Sequence, residues 1–228
     1  MSFRPAARQF FERRGAPTPP LPYDYAVEYI ETDGLGAYIN TGVMPVHGSA
    51  GSVIHATVQS ITVNVTNLTN LTKNPLFGAA SSAALTSMNY GLIAQPGTNN
   101  AFKTAFPSIT SGMQFPQYDT NVHEVIIQDG LLVFDGVRYT LNSVLESRET
   151  GFFCLGSRGA IETVSNSIEG YTNTRFYSCK IYTNNILVFD GIPVRKDGEG
   201  YMYDLVSGNC FGNAGASGTT ISIGTDKS

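Results

Sequence analysis

The chain has 228 residues, of which 42% are hydrophobic, 11% aromatic and 14% charged, with 24 glycines and 11 prolines. This length allows one large all-β domain or two small ones, and the glycine and proline content indicates many turns. The net charge of −4 argues against a nucleic acid partner, and no apolar run approaches the roughly 18 residues that span a bilayer, so no membrane insertion is expected.

The first 22 residues differ in composition from the rest of the chain. They carry four arginines and one glutamate, a net charge of +3, whereas the remainder has ten basic and 17 acidic residues, a net charge of −7. MSFRPAARQFFERRG has no continuous apolar core, so we expect no signal peptide, and we predict a short helix in residues 1–14. GAPTPPLP, with four prolines in residues 15–22, predicts a stiff extended linker, and the main domain is expected at residues 23–228.

After Tyr23 the sequence predicts one strand after another and no helix. Each predicted strand is short, rich in β-branched or aromatic residues, and bounded by Gly, Asn, Asp or Pro. Many short strands without helices indicate a sandwich or a barrel. The predicted strands are YAVEYIET, AYINTGV, SVIHATVQSITVNV, NYGLIA, HEVIIQDG, LLVFDGV, GFFCLGS, RFYSCKIY, ILVFDGI, GYMYDLV and TTISIG.

Two similar hairpins and two long connections complete this prediction. The residues Gln128-Asp129-Gly130 and Thr183-Asn184-Asn185 tolerate the positive φ that tight hairpin turns require. LTKNPLFGAASSAALTSMN (71–89) and AQPGTNNAFKTAFPSITSGMQFPQYDT (94–120) are expected as loops at the rims, where such folds carry binding functions.

Three segments carry a resemblance to a known family. HEVIIQDGLLVFDG, at His123–Gly136, resembles the central hairpin of LamG-like, concanavalin A-like jelly rolls, and Val27–Val43 resembles the opening strand pair. Arg175–Gly215, with GEGYMYDLVSGNCFGNAG, is similar to the closing segment of a branch frequent in proteins of gut bacteria and their phages. The resemblance covers roughly residues 25–224. It implies an antiparallel two-sheet jelly-roll sandwich, in which the likeness of the two hairpins is architectural.

Enzymatic activity is not predicted. Retaining glycosidases need two carboxylates about 5–5.5 Å apart, and on a strand these would be two residues apart. Glu28 and Glu31 are three apart and are expected on opposite faces, whereas Glu146 and Glu149 lie in the polar turn SVLESRET. No GxSxG nucleophile motif is present. We therefore expect a protein that is not an enzyme.

Metal ions and cofactors are not predicted either. The three histidines have no ligand spacing, and His123, which opens a strand, has a structural role at the sandwich edge by the resemblance. The candidate calcium ligands are scattered, so no bound calcium is expected. The three cysteines are widely spaced and are expected as reduced thiols in or near the core. These residues are His47, His55 and His123; Asp33, Asp119 and Asp197; and Cys154, Cys179 and Cys210.

A shallow glycan site is one interpretation of the aromatic residues in the long loops, although the chain has no tryptophan, the commonest sugar-stacking residue. Sugar binding needs aromatic platforms beside convergent polar groups. Alternatively, the loop aromatics pin the loops to the sandwich or fill a subunit interface. The candidate glycan-binding residues are Tyr90, Asn99, Asn100, Phe115, Gln117 and Tyr118.

The basic arm has three interpretations, namely nucleic-acid binding, a free segment, or docking onto a protein. Docking is favoured, since the body of the chain is acidic and Phe and Arg are good interface anchors. The predicted docking residues are Phe3, Arg4, Arg8, Phe10, Phe11, Arg13 and Arg14.

These interpretations lead to a non-enzymatic structural protein of a bacteriophage as the main hypothesis. The arm would attach it to capsid or tail proteins, and the domain would be displayed as a head fibre, capsid decoration or tail-fibre component that touches host or mucosal glycans. The expected location is the virion, after synthesis in the bacterial cytoplasm, and a homo-oligomer is expected, with a trimer as the first guess. The alternative is a bacterial carbohydrate-binding, lectin-like module.

Overall fold

The described part of the chain is an all-β structure. In this computed structural model it contains no helix, and no helix there is long and apolar enough to cross a membrane. The helix predicted in residues 1–14 lies outside the described residues. The structure describes residues 21–46, 51–62, 75–80, 88–95, 101–104, 116–128, 130–141, 152–157, 159–160 and 172–227.

Seventeen strands occur within these ranges, and they form two sheets. The larger sheet follows the order β10-β9-β8-β4-β13-β14-β15-β16, with β1 beside β14, β2 beside β13 and β17 beside β2. The smaller sheet follows the order β3-β11-β5-β6-β7, with β12 beside β5. All pairings are antiparallel except that of β12 with β5. The strands are β1 Tyr25–Ala26, β2 Ile30–Thr32, β3 Ile39–Asn40, β4 Ser52–Thr62, β5 Pro75–Ala80, β6 Met88–Gln95, β7 Ala101–Thr104, β8 Val122–Gln128, β9 Leu131–Phe134, β10 Val137–Thr140, β11 Cys154–Leu155, β12 Gly159–Ala160, β13 Asn173–Thr183, β14 Ile186–Lys196, β15 Glu199–Asp204, β16 Cys210–Phe211 and β17 Ile221–Ile223.

The hydrophobic core is built from both sheets, as the predicted sandwich requires. Alternate residues of the larger sheet, such as Val125 and Phe176, share one buried cluster with Phe77, Leu92 and Phe102 of the smaller sheet. Successive side chains of a strand point to opposite faces, so β8, for example, contributes the alternate residues Val125 and Ile127 to this cluster. Each large apolar side chain buried there stabilises the fold by about 1.5–3 kcal/mol.

The hairpin turns confirm the local turn prediction. Asn184 and Asn185 have φ of 51° and 62°, and Gly130 has φ of 70°. The pairs Asp135-Gly136 and Asp197-Gly198 also have positive φ at both residues. Two-residue turns of this kind match the twist of the strands that they join.

The two connections at 71–89 and 94–120 are not loops throughout, which corrects the prediction. PLFGAA forms β5 in the interior of the smaller sheet, and AFKT forms β7 beside β6. The Gly and Ala residues of β5 have low strand propensity, but Leu76 and Phe77 are fully buried between the sheets. Packing by neighbouring strands therefore overrides the local signal.

The opening run YAVEYIET is also interrupted, because it forms the two short strands β1 and β2. Between them, Val27 forms a bridge with Asp226, and its N–H donates to the carbonyl of Pro193 at 3.0 Å. The nitrogen and carbonyl of a strand residue face the same side, so the nitrogen of Pro193 points toward β1 and not toward β15. The proline therefore lies within β14 without removing a bond to β15.

Candidate functional site

Most of the predicted functional residues lie outside the described residues. All seven predicted docking residues of the arm belong to this group, and so do three of the six glycan candidates. Their roles stay predictions. The residues are Phe3, Arg4, Arg8, Phe10, Phe11, Arg13 and Arg14, together with Asn99, Asn100 and Phe115.

The root of the arm, residues 21–24, is attached to the larger sheet. The ring of Tyr23 lies 4.9 Å from that of Tyr203. The backbone N–H of Asp24 donates to the carbonyl of Arg195 at 2.8 Å, and its carboxylate accepts the N–H of Asp197 at 2.9 Å. Side-chain packing and two hydrogen bonds thus fix the place where the chain enters the domain.

Tyr90 does not lie in a rim loop, which corrects its assignment as a glycan candidate. It belongs to β6, is only 1% exposed, and its hydroxyl donates to the carbonyl of Val46 at 2.8 Å. A ring enclosed in this way has no free face for a sugar. For Tyr90 the structure favours the alternative interpretation, in which the aromatic residue pins the chain to the sandwich.

The two remaining candidates, Gln117 and Tyr118, differ in exposure. Gln117 is exposed and forms a bridge with Ala101 at the start of β7. Tyr118 is half-buried, and its ring lies 5.2 Å from that of Phe102. Phe102 is fully buried and also lies 5.1 Å from Phe134 across the sandwich. The residues before β8 are therefore packed onto an aromatic cluster that joins the two sheets.

His123 lies in this cluster between two carboxylates. Its Nδ1 is 2.7 Å from Asp135 Oδ2, and its Nε2 is 2.8 Å from Asp119 Oδ1. Partial burial alone would raise the pKa of Asp119, yet the N–H of Asn121 and the His123 ring together lower it. Asp119 was considered as a calcium ligand and is here a partner of the histidine.

Asp33, a second calcium candidate, accepts hydrogen bonds from the backbone. Its Oδ1 accepts the N–H groups of Leu35, Gly36 and Ala37, and its Oδ2 accepts that of Thr220 at 2.8 Å. Burial would raise the pKa of Asp33, but these N–H groups lower it. The carboxylate therefore ties the loop after β2 to the segment before β17.

Asp204, at the end of β15, has the same type of role in the closing segment. It is 2% exposed, and its Oδ1 accepts the N–H groups of Asp190 and Val206 at 2.7 and 3.0 Å. Its Oδ2 accepts the N–H of Ser207 at 3.0 Å. Burial would raise the pKa of Asp204, but the N–H of Asp190 and the contacts with Ser207 and Val206 lower it.

The lowered pKa values predict loss of stability in acid. Asp33, Asp119 and Asp204 all have folded-state pKa values below the ordinary 3.8. A depressed folded-state pKa gives stability that is present above the unfolded value and lost as pH falls through the folded value. We expect urea unfolding to show a free energy of unfolding that falls as pH drops below about 4. Over the same pH range the Asp204→Asn variant should lose less free energy of unfolding than wild type, because it lacks one of these carboxylates. An equal loss in the variant and in wild type would contradict the assignment.

Glu28 and Glu31 do not form an acid pair. The strand is interrupted between them, so the expectation from strand periodicity does not apply. Glu31 pairs with Arg175 at 2.6 Å, and Glu28 accepts the hydroxyl of Thr225 at 3.2 Å. Each carboxylate therefore has its own structural partner.

Within the described ranges no group of three or more His, Cys, Asp or Glu is arranged to hold a metal ion. His55 pairs with Glu124 at 2.7 Å on the outer face of the larger sheet, away from His123. Asp197 lies in the exposed turn after β14. The described candidates therefore lie at separate structural positions.

The three cysteines are unpaired, as predicted. Cys154 and Cys179 are buried, and burial raises the pKa of the Cys154 thiol to about 12 and also raises that of Cys179. Cys210 is partly exposed on β16, and its thiol donates to the carbonyl of Pro22 at 3.7 Å. Cys210 thus lies beside the root of the arm.

Apolar side chains are exposed at one end of the sandwich. The segments of Val46 and Ile186 are connected there, because the N–H of Ser52 donates to the carbonyl of Val46 and Thr183 pairs with both Ser52 and Ile186. The carbonyl of Val43, which precedes the exposed Met44, accepts the N–H of Phe153, which follows the exposed Phe152. The apolar end is defined as Met44, Val46, Phe152 and Ile186.

The fold and these positions define an all-β protein of two packed sheets. Comparisons of the chain with protein-family models, curated proteins and solved structures find no match. The resemblance to LamG-like domains stays a prediction, and the function has to be argued from the geometry.

Proposed function

We propose that this protein is a non-enzymatic structural protein of a bacteriophage particle. Residues 1–22 attach it to capsid or tail proteins, and residues 23–228 form a LamG-like, concanavalin A-like jelly roll displayed on the surface. Within the particle, the protein would be a head fibre, a capsid decoration or a tail-fibre component. The observation that carries the proposal is the fixed root of the arm.

The root supports an anchoring role because it gives the arm a defined origin. Tyr23 packs on Tyr203, and Asp24 is bonded to both Arg195 and Asp197. A basic segment that starts from a rigid sheet holds the domain at a set place once the segment is bound. The arginines of the arm complement an acidic surface, and its phenylalanines supply apolar anchors.

The use of polar side chains supports a role without catalysis. An active site requires a nucleophile, base or acid that faces a cleft with its reacting atom available. The described carboxylates instead form structural hydrogen bonds. Asp33 and Asp204 accept backbone N–H groups, and Asp119 is bonded to His123. These charged groups hold loops in place.

The apolar end supports a contact with a further subunit. Ile186 is 65% exposed and Met44 is 55% exposed, and both belong to this end. Exposed apolar side chains that cluster mark interaction sites more often than single ones do. A homo-oligomer, with a trimer as the first guess, would cover them. Glycan contact would involve Gln117 and Tyr118, with Asn99, Asn100 and Phe115 from the neighbouring segments.

A capture experiment with the full chain tests the arm. Tagged wild type, an F10S/F11S variant and a Leu35→Ser control are incubated with lysate of a phage-producing culture, and bound proteins are identified by mass spectrometry. Leu35 is 80% exposed in the domain, so the control removes an apolar side chain outside the arm. Loss of hot-spot anchors costs at least about 2 kcal/mol, so recovery of capsid or tail proteins should fall roughly thirtyfold in the arm variant alone.

The opposite results separate the alternatives. If the arm variant and wild type retain equal amounts of capsid or tail protein, the arm is not the anchor. If all three baits retain only polysaccharide, the lectin-like module replaces the virion protein.

A further inference from the structure

His123 is a buried histidine with a carboxylate on each side of its ring. It is 5% exposed, its Nδ1 lies 2.7 Å from Asp135 Oδ2, and its Nε2 lies 2.8 Å from Asp119 Oδ1. The rings of Phe102 and Phe134 lie 5.0 and 4.6 Å from the imidazole. The imidazole is therefore packed between aromatic rings, whereas the side chains of Asp119 and Asp135 are 45% and 48% exposed.

The hydrogen bonds of the carboxylates determine how many protons the ring must carry. Asp119 Oδ1 also accepts the N–H of Asn121 at 2.7 Å, and Asp135 Oδ1 accepts that of Glu124 at 2.9 Å. An ionised carboxylate has no proton to donate, and a neutral imidazole has only one N–H. Two short contacts from one ring to two ionised carboxylates therefore require the imidazolium form.

The two carboxylates lie on different segments of the chain. Asp135 lies in the turn between β9 and β10 of the larger sheet. Asp119 lies in segment 116–121, which is bonded to β7 of the smaller sheet at its start, since the N–H of Phe102 donates to the carbonyl of Pro116 at 2.8 Å. Near its end the segment is bonded to β4 of the larger sheet, since Gln59 donates to the carbonyl of Thr120 at 2.8 Å. The proton on the ring therefore links the turn after β9 to the middle of segment 116–121.

The two contacts are not equally secure when the ring loses a proton. Asp135 and Glu124 exchange two bonds of 2.9 Å, one through the N–H of Asp135 and one through its Oδ1. The described bond of Asp119 outside the ring is to Asn121, within its own segment. The remaining ring N–H therefore stays with Asp135, and the Nε2 lone pair then faces the Asp119 carboxylate.

We propose that His123 is a proton-operated lock on segment 116–121. In the protonated state the ring holds Asp119 and keeps segment 116–121 closed over Phe102. In the neutral state Asp119 is released, and segment 116–121 opens together with Gln117 and Tyr118. The inference is independent of what the arm binds.

The described groups around the ring are consistent with a lock that depends on one residue. Segment 116–121 contributes the titratable Asp119 and Tyr118, and the turn after β9 contributes Asp135. Strands β7 and β9 contribute phenylalanine rings, and β4 contributes Val58, which pairs with His123 in the strand register. The pair of His55 and Glu124 lies on the outer face of the sheet.

The test follows the ring and the segment together in the full chain. NMR of labelled imidazole nitrogens reports the protonation of His123 from about pH 5 to about pH 9. Amide hydrogen exchange, corrected for its intrinsic pH dependence, reports the Phe102 N–H that is bonded to Pro116. The variants are Asp119→Asn and, as the matched control, His55→Gln.

We expect wild type to carry a proton on both ring nitrogens at low pH. Protection of the Phe102 N–H should fall by about tenfold or more as the ring deprotonates, because a charge-assisted hydrogen bond is lost. Asp119→Asn should remove this step, since an amide offers Nε2 either an acceptor or a donor. His55→Gln should keep it.

Three results would overturn the proposal. The first is a ring that stays in one protonation state across the whole range. The second is protection of Phe102 that does not change when the ring titrates. The third is a step of the same size in Asp119→Asn as in wild type.

Discussion

The Asp204→Ala variant will lose about 3 kcal/mol of its free energy of unfolding, because three backbone N–H groups lose their acceptor. The carboxylate is almost fully buried and binds the N–H groups of Asp190, Val206 and Ser207. The loss includes the side-chain part of the connection between β14 and the turn after β15, to which the N–H of Leu205 also contributes by donating to the carbonyl of Asp190 at 2.9 Å. Urea denaturation followed by fluorescence or circular dichroism measures it.

Two further variants make this result specific. Asp204→Asn keeps one acceptor oxygen and should lose less than half as much. Glu199→Ala removes an exposed carboxylate from the other end of β15 and should change stability by about 0.5 kcal/mol or less. If Asp204→Ala lost no more than Glu199→Ala, the carboxylate would not hold the closing segment.

The Phe102→Ala variant will lose about 3–5 kcal/mol, the range for truncating a buried aromatic residue. Phe102 is fully buried in β7 and contacts Tyr118, His123 and Phe134 with ring distances of 5.0–5.2 Å. Truncation leaves a cavity between the sheets and removes three ring contacts at once. Chemical denaturation gives the change in the free energy of unfolding.

The control for this variant is Phe152→Ala, which removes the same ring from a surface position. Phe152 is 36% exposed at the apolar end, so its truncation should cost clearly less than that of Phe102. Equal losses for the two variants would show that the aromatic cluster is not a main contact between the sheets.

The sequence predicts those parts of the fold that depend on local chemistry. Asn184-Asn185 and Gly130 tolerate positive φ, and the alternation in β8 and β13 shows which side chains enter the core. PLFGAA was missed since its Gly and Ala give no strand signal of their own, and AFKT was missed because a run of four residues is too short to give one. These segments become strands because neighbouring strands pair with them, and a single local window contains no such information.

The surroundings of His123 were predictable only in part. Its contact with Asp135 follows from the hairpin, because Val125 pairs with Phe134 and brings the two side chains close. The contact with Asp119 depends on how segment 116–121 returns to the sandwich after a long connection. The resemblance gave His123 a structural role, but no sequence pattern identified both of its carboxylate partners.

The closing segment shows the same division between local and long-range information. The turn after Asp204 contains Ser207 and Gly208, which are typical turn residues. The third partner, the N–H of Asp190, comes from the neighbouring strand β14 and depends on the register between β14 and β15. Gly215 packs against the carbonyl of Gly36, where a side chain would not fit, and the sequence alone does not show this contact.

The protein content of purified virus particles tests the proposed function most directly. Particles from the producing culture are separated on a density gradient, and their proteins are quantified by mass spectrometry. The account predicts that this chain is recovered in the particle fraction at a constant ratio to the capsid or tail proteins. Recovery of the chain only in the soluble fraction, while the capsid and tail proteins sediment in the gradient, would contradict it.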